Sequence, residues 1–384
     1  MRTFDFIVVG AGIAGASAAY ELQARGRTLL LEREPLPGHH TTGRSAAFLV
    51  ESYGNRVVQL LTRGGQDFLE NPPDPFTPHP ILDPRPVLWI ARPDQAERLI
   101  DATTQAIAAG AKLDRIDLSE AYDLCPVLRK GYATVAVVEP DARHIDVAGL
   151  LDAYLRGFRA RGGEFEARAE VTELRRNGSN WELHAGEQRY STGVVVNAAG
   201  AWAEQIGRLA GAVSIGLEPR RRTAITFDPP SGSQIDRWPC LIDADEDFYL
   251  KPEGTQLLAS PCDETPFPPC DVTPDDLEVA LAAERVMAAT TLVLRHIRRR
   301  WAGLRSFVAD RAPVIGPDPQ REGFFWLAGQ GGFGIMTSSS AARCTVGLIV
   351  DGKLPADLRL LGLSAADLSP ARNGIGSARP DDQS

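Results

Sequence analysis

The residues that point most directly to chemistry lie near the start of the chain, in the stretch Gly10-Ala11-Gly12-Ile13-Ala14-Gly15. This GxGxxG pattern follows a short apolar run, opens an Ala-rich segment, and is followed after about 20 residues by Glu32. Such glycines permit a tight turn and let the backbone approach a pyrophosphate, and the helix N-terminus favours the phosphate charge. Glu32 would accept hydrogen bonds from an adenosine ribose. A glycine-rich turn without a ligand is the plainer interpretation, and the spacing to Glu32 argues against it.

Two further segments favour FAD over a nicotinamide dinucleotide. GRSAA, residues 43–47, follows shortly after Glu32, and a second glycine-rich turn, GQGGFG, occurs at residues 329–334 near the C-terminus. A flavin needs a distant second site because its isoalloxazine ring is held far from the adenine, whereas an NAD domain needs none. The sequence therefore predicts FAD as the cofactor, with an NAD(P)-dependent reductase as the alternative.

Other reactive side chains show no pattern typical of a site. The six histidines lack HxH or HExxH spacing, and no Ser/His/Asp set is recognisable, so we expect no metal and treat the histidines as structural or exposed. The five cysteines include no CxxC, which predicts reduced thiols and a cytoplasmic protein. Cys262 and Cys270 flank a Pro-rich loop, and a disulfide between them is the minor alternative.

The composition excludes several classes of partner. The chain has 384 residues, 43% of them hydrophobic and 24% charged, which is ordinary for a globular protein. A net charge of −9 argues against nucleic acid or an anionic membrane as the main partner, although not against a local basic pocket for a small anion. No run approaches the roughly 18 apolar residues of a membrane span. The partner we expect is a small molecule.

The elements that must hold these motifs fall into three separated blocks. Residues 6–9 and 28–31 read as strands around a helix at 14–24, a long amphipathic helix is predicted at 146–161 with Asp146 as its N-cap, and strand–turn segments recur at 194–202 and 324–342. Between them the chain is Pro-rich or strand-like, with a helix around 275–290. We predict a discontinuous FAD-binding domain at residues 1–48, 141–214 and 306–370, a substrate-binding domain at 49–140 and 215–305, and a disordered tail at 371–384.

Taken together, the motifs resemble the FAD-dependent D-amino-acid oxidase and glycine oxidase superfamily, and within it the bacterial D-arginine dehydrogenases. The similarity runs from VVGAGIAGAS through LEREPLPGHHTTGRSAA, NPP, VVNAAGAW, FYLKP and WAGLRSFVAD to GQGGFGI. It implies a two-domain α/β fold, with a Rossmann-type FAD-binding domain and a substrate domain built on a mixed antiparallel sheet. It also implies an enzyme that oxidises a C–N bond beside a carboxylate.

The resemblance assigns the cofactor contacts to separate segments. They are Gly10, Gly12, Ala14, Gly15, Glu32 and Arg33 at the ADP half, Thr42, Gly43, Arg44, Ser45, Ala46 and Ala47 along the phosphates and ring, Val171 at the adenine, Gly200 and Trp202 after a central strand, and Gly331, Gly332, Gly334 and Ile335 at the flavin pyrimidine. Backbone N–H groups suit the last place because reduced flavin carries negative charge there.

The substrate contacts implied by the resemblance come from the second domain. Arg222 and Arg305 would hold the substrate carboxylate, a task for which the planar guanidinium fork is suited. The plainer interpretation of Arg222 is one member of a solvated run, residues 220–222, in which a strand would turn Arg221 away from its neighbours. Pocket tyrosines match Tyr53 and Tyr249, and the Gly303 carbonyl would accept from the substrate amine. Lys251 would share a strand face with Tyr249, near the flavin or exposed.

Four positions depart from the D-arginine dehydrogenases in the same direction. Phe48 replaces a histidine, Val50 a threonine, Val87 the glutamate that pairs with the substrate guanidinium, and Met336 a glutamine. A buried guanidinium without a partner costs several kcal/mol, so we expect poor use of D-arginine. These four residues are predicted to line an apolar substrate pocket.

Two substrate classes fit this pocket. One is a D-amino acid with a hydrophobic side chain; the other is an N-substituted glycine, such as the N-carboxymethyl β-amino acids that glycine oxidase-like enzymes of macrolactam biosynthesis cleave to glyoxylate and a free amine. The extent of the polar losses favours the second slightly. A flavoprotein without turnover is a further alternative, and the sequence leaves oxidase and dehydrogenase chemistry equally open.

Overall fold

The computed structural model describes residues 1–376, and the remaining part of the predicted tail, 377–384, lies outside them. Ten helices occur in the described range: α1 Ile13–Leu22, α2 Arg56–Glu70, α3 Ala96–Ala108, α4 Leu118–Leu124, α5 Val147–Ala160, α6 Ala203–Ala210, α7 Asp276–Ala289, α8 Ser338–Val346, α9 Ala356–Leu360 and α10 Ala365–Leu368. The long amphipathic helix is confirmed as α5, with the Asp146 carboxylate accepting from Gly149 N.

The strands of the same range alternate with these helices. They are β1 Arg2–Val9, β2 Thr28–Leu31, β3 Phe48–Leu49, β4 Leu82–Pro84, β5 Val87–Ala91, β6 Asp114–Ile116, β7 Val135–Glu139, β8 Arg143–Ile145, β9 Glu164–Glu166, β10 Val171–Asn177, β11 Asn180–Ala185, β12 Gln188–Asn197, β13 Glu218–Phe227, β14 Cys240–Asp243, β15 Tyr249–Glu253, β16 Gln256–Ser260, β17 Thr265–Pro266, β18 Ile297–Phe307, β19 Val314–Pro317 and β20 Phe324–Ala328.

An eight-stranded sheet carries the glycine motif. Its centre is parallel, in the order β20-β12-β1-β2-β9, and β10, β11 and β19 add antiparallel pairs. Helix α1 packs on this sheet and contacts both α5 and α8. Ala16, Ala18 and Ala19 are wholly buried, and their small side chains let α1 lie close to the strands. The predicted Rossmann-type arrangement is therefore present.

The second large sheet has nine strands. Its order is β17-β13-β16-β15-β14-β5-β7-β6, with β18 pairing the other edge of β13, and every pair is antiparallel except β5–β14. Helix α7 packs on β13 and β16, over a core that includes Leu257, Val279 and Val286. A small sheet joins β3 and β8, which lie at the two ends of the predicted insert 49–140, to β4 within that insert. The mixed antiparallel sheet matches the predicted fold class.

The predicted domain boundaries stay a prediction, and two observations bear on them. Helix α2 was assigned to the substrate domain, but its Val58, Leu61 and Leu69 are buried in the core beneath the eight-stranded sheet. The chain was expected to be disordered from residue 371, but Arg372 donates to the Asp310 carboxylate and to Ala312 O, so residues 371–376 belong to the folded structure. The hydrogen bonds of Arg372 hold this segment in place despite the polar, Gly-rich composition from which disorder was predicted.

Candidate active site

One long cleft runs between the two large sheets and collects most of the predicted site residues. Those that line it are Gly10, Gly12, Ala14, Glu32, Arg33, Thr42, Arg44, Ser45, Ala46, Ala47, Val171, Gly200, Trp202, Arg222, Tyr249, Gly303, Arg305, Gly331, Gly332, Gly334 and Ile335. Those outside its lining are Gly15, Gly43, Phe48, Tyr53, Val50, Val87 and Met336. Segments from both ends of the chain therefore meet at one place.

The turn after β1 has the backbone that its glycines require. Gly10 has φ +102°, a conformation that side chains other than glycine's rarely adopt. A Cβ at Gly15 would stand 1.8 Å from the Gly10 carbonyl oxygen, and one at Gly43 would stand 2.5 Å from Gly38 O. Gly15 and Gly43 therefore do not line the cleft. Each lets its own backbone lie in contact with another segment of backbone, at Gly10 and Gly38 respectively.

Helix α1 begins at the cleft with little covering its first turn. Its N-cap, Gly12, offers no side chain, and the first N–H, that of Ile13, donates to Thr42 Oγ1 at 3.0 Å. The positive end of the helix dipole is thus available to an anion at the cleft. This is the position that a cofactor pyrophosphate requires.

Glu32 is held in place by the backbone around it. One carboxylate oxygen accepts from Ala11 N at 2.8 Å and the other from Glu34 N at 2.9 Å. The side chain is buried yet reaches the cleft. These contacts fix the carboxylate beside the glycine turn, where ribose hydroxyls would find an acceptor.

Trp202 marks the same end of the cleft. The Arg33 guanidinium lies 4.7 Å from its ring, and the His40 ring lies 4.5 Å away. Glu34, His39 and His40 place possible metal-ligand atoms within 4.8 Å of one another, which the sequence did not predict. The Glu34 carboxylate is already hydrogen-bonded to His40 at 2.9 Å and paired with Arg33 at 3.2 Å, and the His40 bond lowers the pKa of Glu34. We interpret the cluster as a hydrogen-bonded wall.

Arg44 ties the GRSAA loop to the second sheet. Its guanidinium donates to Ala302 O at 2.8 Å and Val272 O at 3.2 Å, and it also pairs with Asp271. The donors of Arg44, which was predicted to lie beside the phosphates, are therefore bonded to protein acceptors. Its contribution to the cleft is to hold the loop against β18.

The C-terminal glycine turn forms the opposite wall. Gly331 has φ +52°, and a Cβ there would stand 2.2 Å from the Phe307 ring. A Cβ at Gly332 would stand 2.7 Å from Arg305 Nη1. Glycine at position 331 therefore lets this turn lie against the Phe307 ring, whereas at position 332 a side chain would meet the movable end of Arg305.

The two arginines lie on neighbouring strands and face the cleft together. Arg222 on β13 pairs in register with Gly303 on β18, two residues before Arg305. Arg222 is only 7% exposed, and within residues 1–376 its Nε and Nη1 have no hydrogen-bond partner. The Arg305 guanidinium likewise has no hydrogen-bond or ion-pair partner in that part of the chain. Buried guanidinium donors are costly to leave unpaired, so the pair is suited to an anionic ligand.

The alternation predicted for residues 220–222 is present. Arg221 is excluded from the cleft and approaches Asp263 and Asp275, each at 3.5 Å, on the other face of β13. The solvated-run alternative therefore fails for Arg222.

Two acidic residues near the arginines escaped the sequence reasoning. Glu264 accepts from Arg222 Nη2 at 2.9 Å and from both terminal nitrogens of Arg311 at 2.9 Å. Burial would raise its pKa, but Arg311 and Arg222 hold the pKa of Glu264 below its ordinary value. Glu246 accepts from the Tyr53 hydroxyl at 2.9 Å. Both lie in loops without a recognisable motif, so no local signal could have found them.

The tyrosines differ in their positions. Tyr249 lines the cleft, and burial raises the pKa of its hydroxyl to about 12. Tyr53 stands outside the lining, with its ring 5.2 Å from Phe333 and its hydroxyl held by Glu246. Tyr53 therefore packs against Phe333 outside the cleft lining, whereas Tyr249 can contact a ligand in the cleft.

Of the four apolar residues that replace polar ones in the relatives, only three pack together. Val50 and Val87 are buried together with Cys240, and Phe48, Tyr53 and Tyr249 pack against them. Met336 lies apart, in the core beneath the eight-stranded sheet. The prediction that these side chains line the pocket needs correction, because Tyr249 lies between this cluster and the cleft. We call Phe48, Val50, Val87 and Cys240 the apolar cluster.

Lys251 lies on β15 beside Phe48 of the apolar cluster. It has 0% exposure, pairs with Glu253 and stands 5.3 Å from the Phe48 ring centre. It is not part of the cleft lining, so neither an exposed lysine nor one in the cleft describes it. The five cysteines, including Cys262 and Cys270, are free thiols.

Further groups test whether the cleft fits FAD. The Gln330 amide nitrogen and Ser306 hydroxyl line it, are buried, and have no hydrogen-bond partner within residues 1–376. With the open end of α1 and the fixed Glu32 carboxylate, these residues give the cleft polar groups on both of its walls. A ligand with an anionic middle and a polar ring at each end fits this distribution.

The sequence model of FAD dependent oxidoreductases matches residues 5–348. The chain belongs to this family. FAD is its cofactor, and the protein is an FAD-dependent oxidoreductase. The alternatives of an NAD(P)-dependent reductase and a flavoprotein without turnover are thereby set aside.

Individual relatives cover nearly the whole chain. Hydrogen cyanide synthase subunit HcnC of Pseudomonas aeruginosa is 25% identical over 93% of this chain and 95% of its own. Glycine oxidase from Geobacillus kaustophilus has a TM-score of 0.81 at 22% identity, over 93% and 96% of the two chains. Iminodiacetate oxidase from Chelativorans sp. BNC1 has a TM-score of 0.78 at 20% identity, over 95% and 98%. The two solved structures share the fold. No helix within residues 1–376 has the length and apolar character to cross a bilayer.

Proposed function

We propose that this flavoenzyme oxidises an N-substituted glycine that carries an apolar group, releasing glyoxylate and the free amine. The observation that carries the proposal is the pair Arg222 and Arg305: both line the same cleft as the FAD-binding motifs, and Nε and Nη1 of Arg222 have no hydrogen-bond partner within residues 1–376. A carboxylate is the ligand that such a pair binds best.

The charges around the arginines favour one carboxylate and a neutral amine. Arg222, Arg305 and Arg311 are balanced in part by Glu246 and Glu264, which leaves a single positive charge. A bound monoanion neutralises it. An additional cationic group would need a further acid beside the arginines.

The reaction follows from that placement. The arginines bind the carboxylate, and the Gly303 carbonyl accepts a hydrogen bond from the amine, whose lone pair assists loss of hydrogen from the adjacent carbon. FAD, when bound, accepts two electrons and one hydrogen from that C–H bond. The resulting C=N bond takes up water, and the C–N bond breaks to give an oxo acid and an amine. No protein base is needed, so the absence of a pocket histidine at Phe48 is tolerated.

The choice of substituent is supported by Tyr249, which lines the cleft with the apolar cluster packed against it, and by the relatives. An aliphatic substituent that packs against the Tyr249 ring would contribute about 0.8 kcal/mol per buried CH₂. Glycine and iminodiacetate, the substrates in the names of two structural relatives, are respectively glycine itself and an N-carboxymethyl glycine. Both support a glycine unit at the reacting end. We extend the proposal to N-carboxymethyl β-amino acids with an aliphatic chain.

A hydrophobic D-amino acid is the second candidate, because the same arginines could bind its carboxylate and its side chain could pack against Tyr249. Anaerobic bleaching of the flavin absorbance against N-alkylglycines, hydrophobic D-amino acids and D-arginine tests the choice. We expect the N-alkylglycines to reduce the flavin fastest and to yield glyoxylate in equal amount. Faster reduction by a hydrophobic D-amino acid would favour the second candidate, and faster reduction by D-arginine would refute the apolar site altogether.

A further inference from the structure

Arg222 is oriented by an acid that lies outside the cleft lining. Its Nη2 donates to Glu264 Oε1 at 2.9 Å, while Nε and Nη1 stay without a partner within residues 1–376. Glu264 therefore occupies one nitrogen and leaves the other two for a ligand. A long arginine side chain has several rotatable bonds, and one fixed nitrogen restricts them.

Glu264 is itself fixed from the other side. Arg311 donates to both of its oxygens at 2.9 Å, and the Arg311 guanidinium stacks 3.9 Å from the Phe307 ring. Phe307 in turn fills the space beneath Gly331, in the glycine turn of the cofactor site. The carboxylate thus joins the substrate arginine to the cofactor wall through contacts that are all short.

We propose that Glu264 is a positioning residue for the substrate carboxylate: it holds the Arg222 guanidinium at the wall of the cleft and leaves Nε and Nη1 without a protein partner. This inference rests on the proposed function for its choice of ligand. The opposing effect is competition, because a negative charge on Arg222 also weakens its attraction for a second carboxylate. The Arg311 pair offsets that competition by neutralising Glu264.

The test measures binding of N-hexanoylglycine, whose amide nitrogen resists oxidation, by perturbation of the flavin spectrum in the holoenzyme. N-hexanoylglycinamide, which lacks the carboxylate, serves as the matched ligand. Glu264→Ala is expected to weaken binding of the acid by roughly 10-fold or more, the usual worth of a charge-assisted hydrogen bond, and to leave the amide unchanged. Glu264→Gln, which keeps the shape and an acceptor oxygen, is expected to fall between wild type and Glu264→Ala.

Glu322→Ala is the control, because it removes an exposed carboxylate that pairs with Arg176 away from the cleft. Flavin content and melting temperature show whether each variant is folded. Tighter binding of the acid by Glu264→Gln would show that Glu264 competes for Arg222, and equal binding by Glu264→Ala would show that it does not hold Arg222; either result overturns this inference alone. Failure of the wild type to bind N-hexanoylglycine would overturn the proposed function and the inference together.

Discussion

Replacing Arg222 by methionine separates its role in the cleft from its role in the strand. Methionine keeps much of the length of the side chain and removes the charge. Glu264 stays hydrogen-bonded to Arg311, so the change leaves no isolated buried acid. Any large effect of Arg222→Met therefore reports on the ligand.

The size of the effect follows from the two unpartnered nitrogens, Nε and Nη1. Hydrogen bonds to charged groups contribute about 1.5–3 kcal/mol each, so two of them contribute roughly 3–6 kcal/mol. At about 1.4 kcal/mol per tenfold change, we expect kcat/KM to fall by roughly 100-fold to 10,000-fold. The rate of anaerobic flavin reduction against N-alkylglycine concentration, per bound flavin, measures it.

The chain supplies a matched control one residue away. Arg221 has the same side chain on the same strand and a similar burial, 8% against 7% for Arg222, but it pairs with Asp263 and Asp275 outside the cleft. Arg221→Met should lower stability while kcat/KM per bound flavin stays within about threefold, since no ligand contact is lost. A comparable decrease in both variants, or none in Arg222→Met, would refute the carboxylate assignment.

Three other changes test the site from different sides. Gly15→Ala places a Cβ 1.8 Å from the Gly10 carbonyl oxygen, so we expect the purified protein to lose most of its FAD, seen as the ratio of visible to ultraviolet absorbance. The Tyr249 pKa of about 12 lies above its ordinary value, so the contribution of the neutral hydroxyl to stability is complete below pH 10 and is lost between pH 10 and 12. The unfolding free energies of wild type and Tyr249→Phe should therefore differ in their pH dependence only in that range. Val87→Glu buries a carboxylate in the apolar cluster, so the melting temperature should fall by several degrees and D-arginine should still fail to bleach the flavin; rapid bleaching by D-arginine would contradict this account.

The sequence predicted many of the residues that line the cleft, because the signals for them are local. A strand, three glycines and an acid at fixed spacing describe one βαβ unit, and the apolar stripe and N-cap of α5 are equally local. The resemblance to the superfamily then supplied Arg222, Arg305, Tyr249 and Gly303, and the alternation of a strand was enough to separate Arg222 from Arg221. Each of these features is defined by residues within a single strand, helix or βαβ unit, or by a short motif.

What only the tertiary structure decided is which side chains share a space. Phe48, Val50 and Val87 meet behind Tyr249 because three different sheet segments converge there, and Met336 is diverted into another core although its replacement looks the same in the sequence. Glu264 and Glu246 reach the arginines from loops that carry no motif. Local spacing fixes the direction of a side chain along its own element, but the distance between elements depends on how the two sheets pack, and no short stretch of sequence encodes that packing.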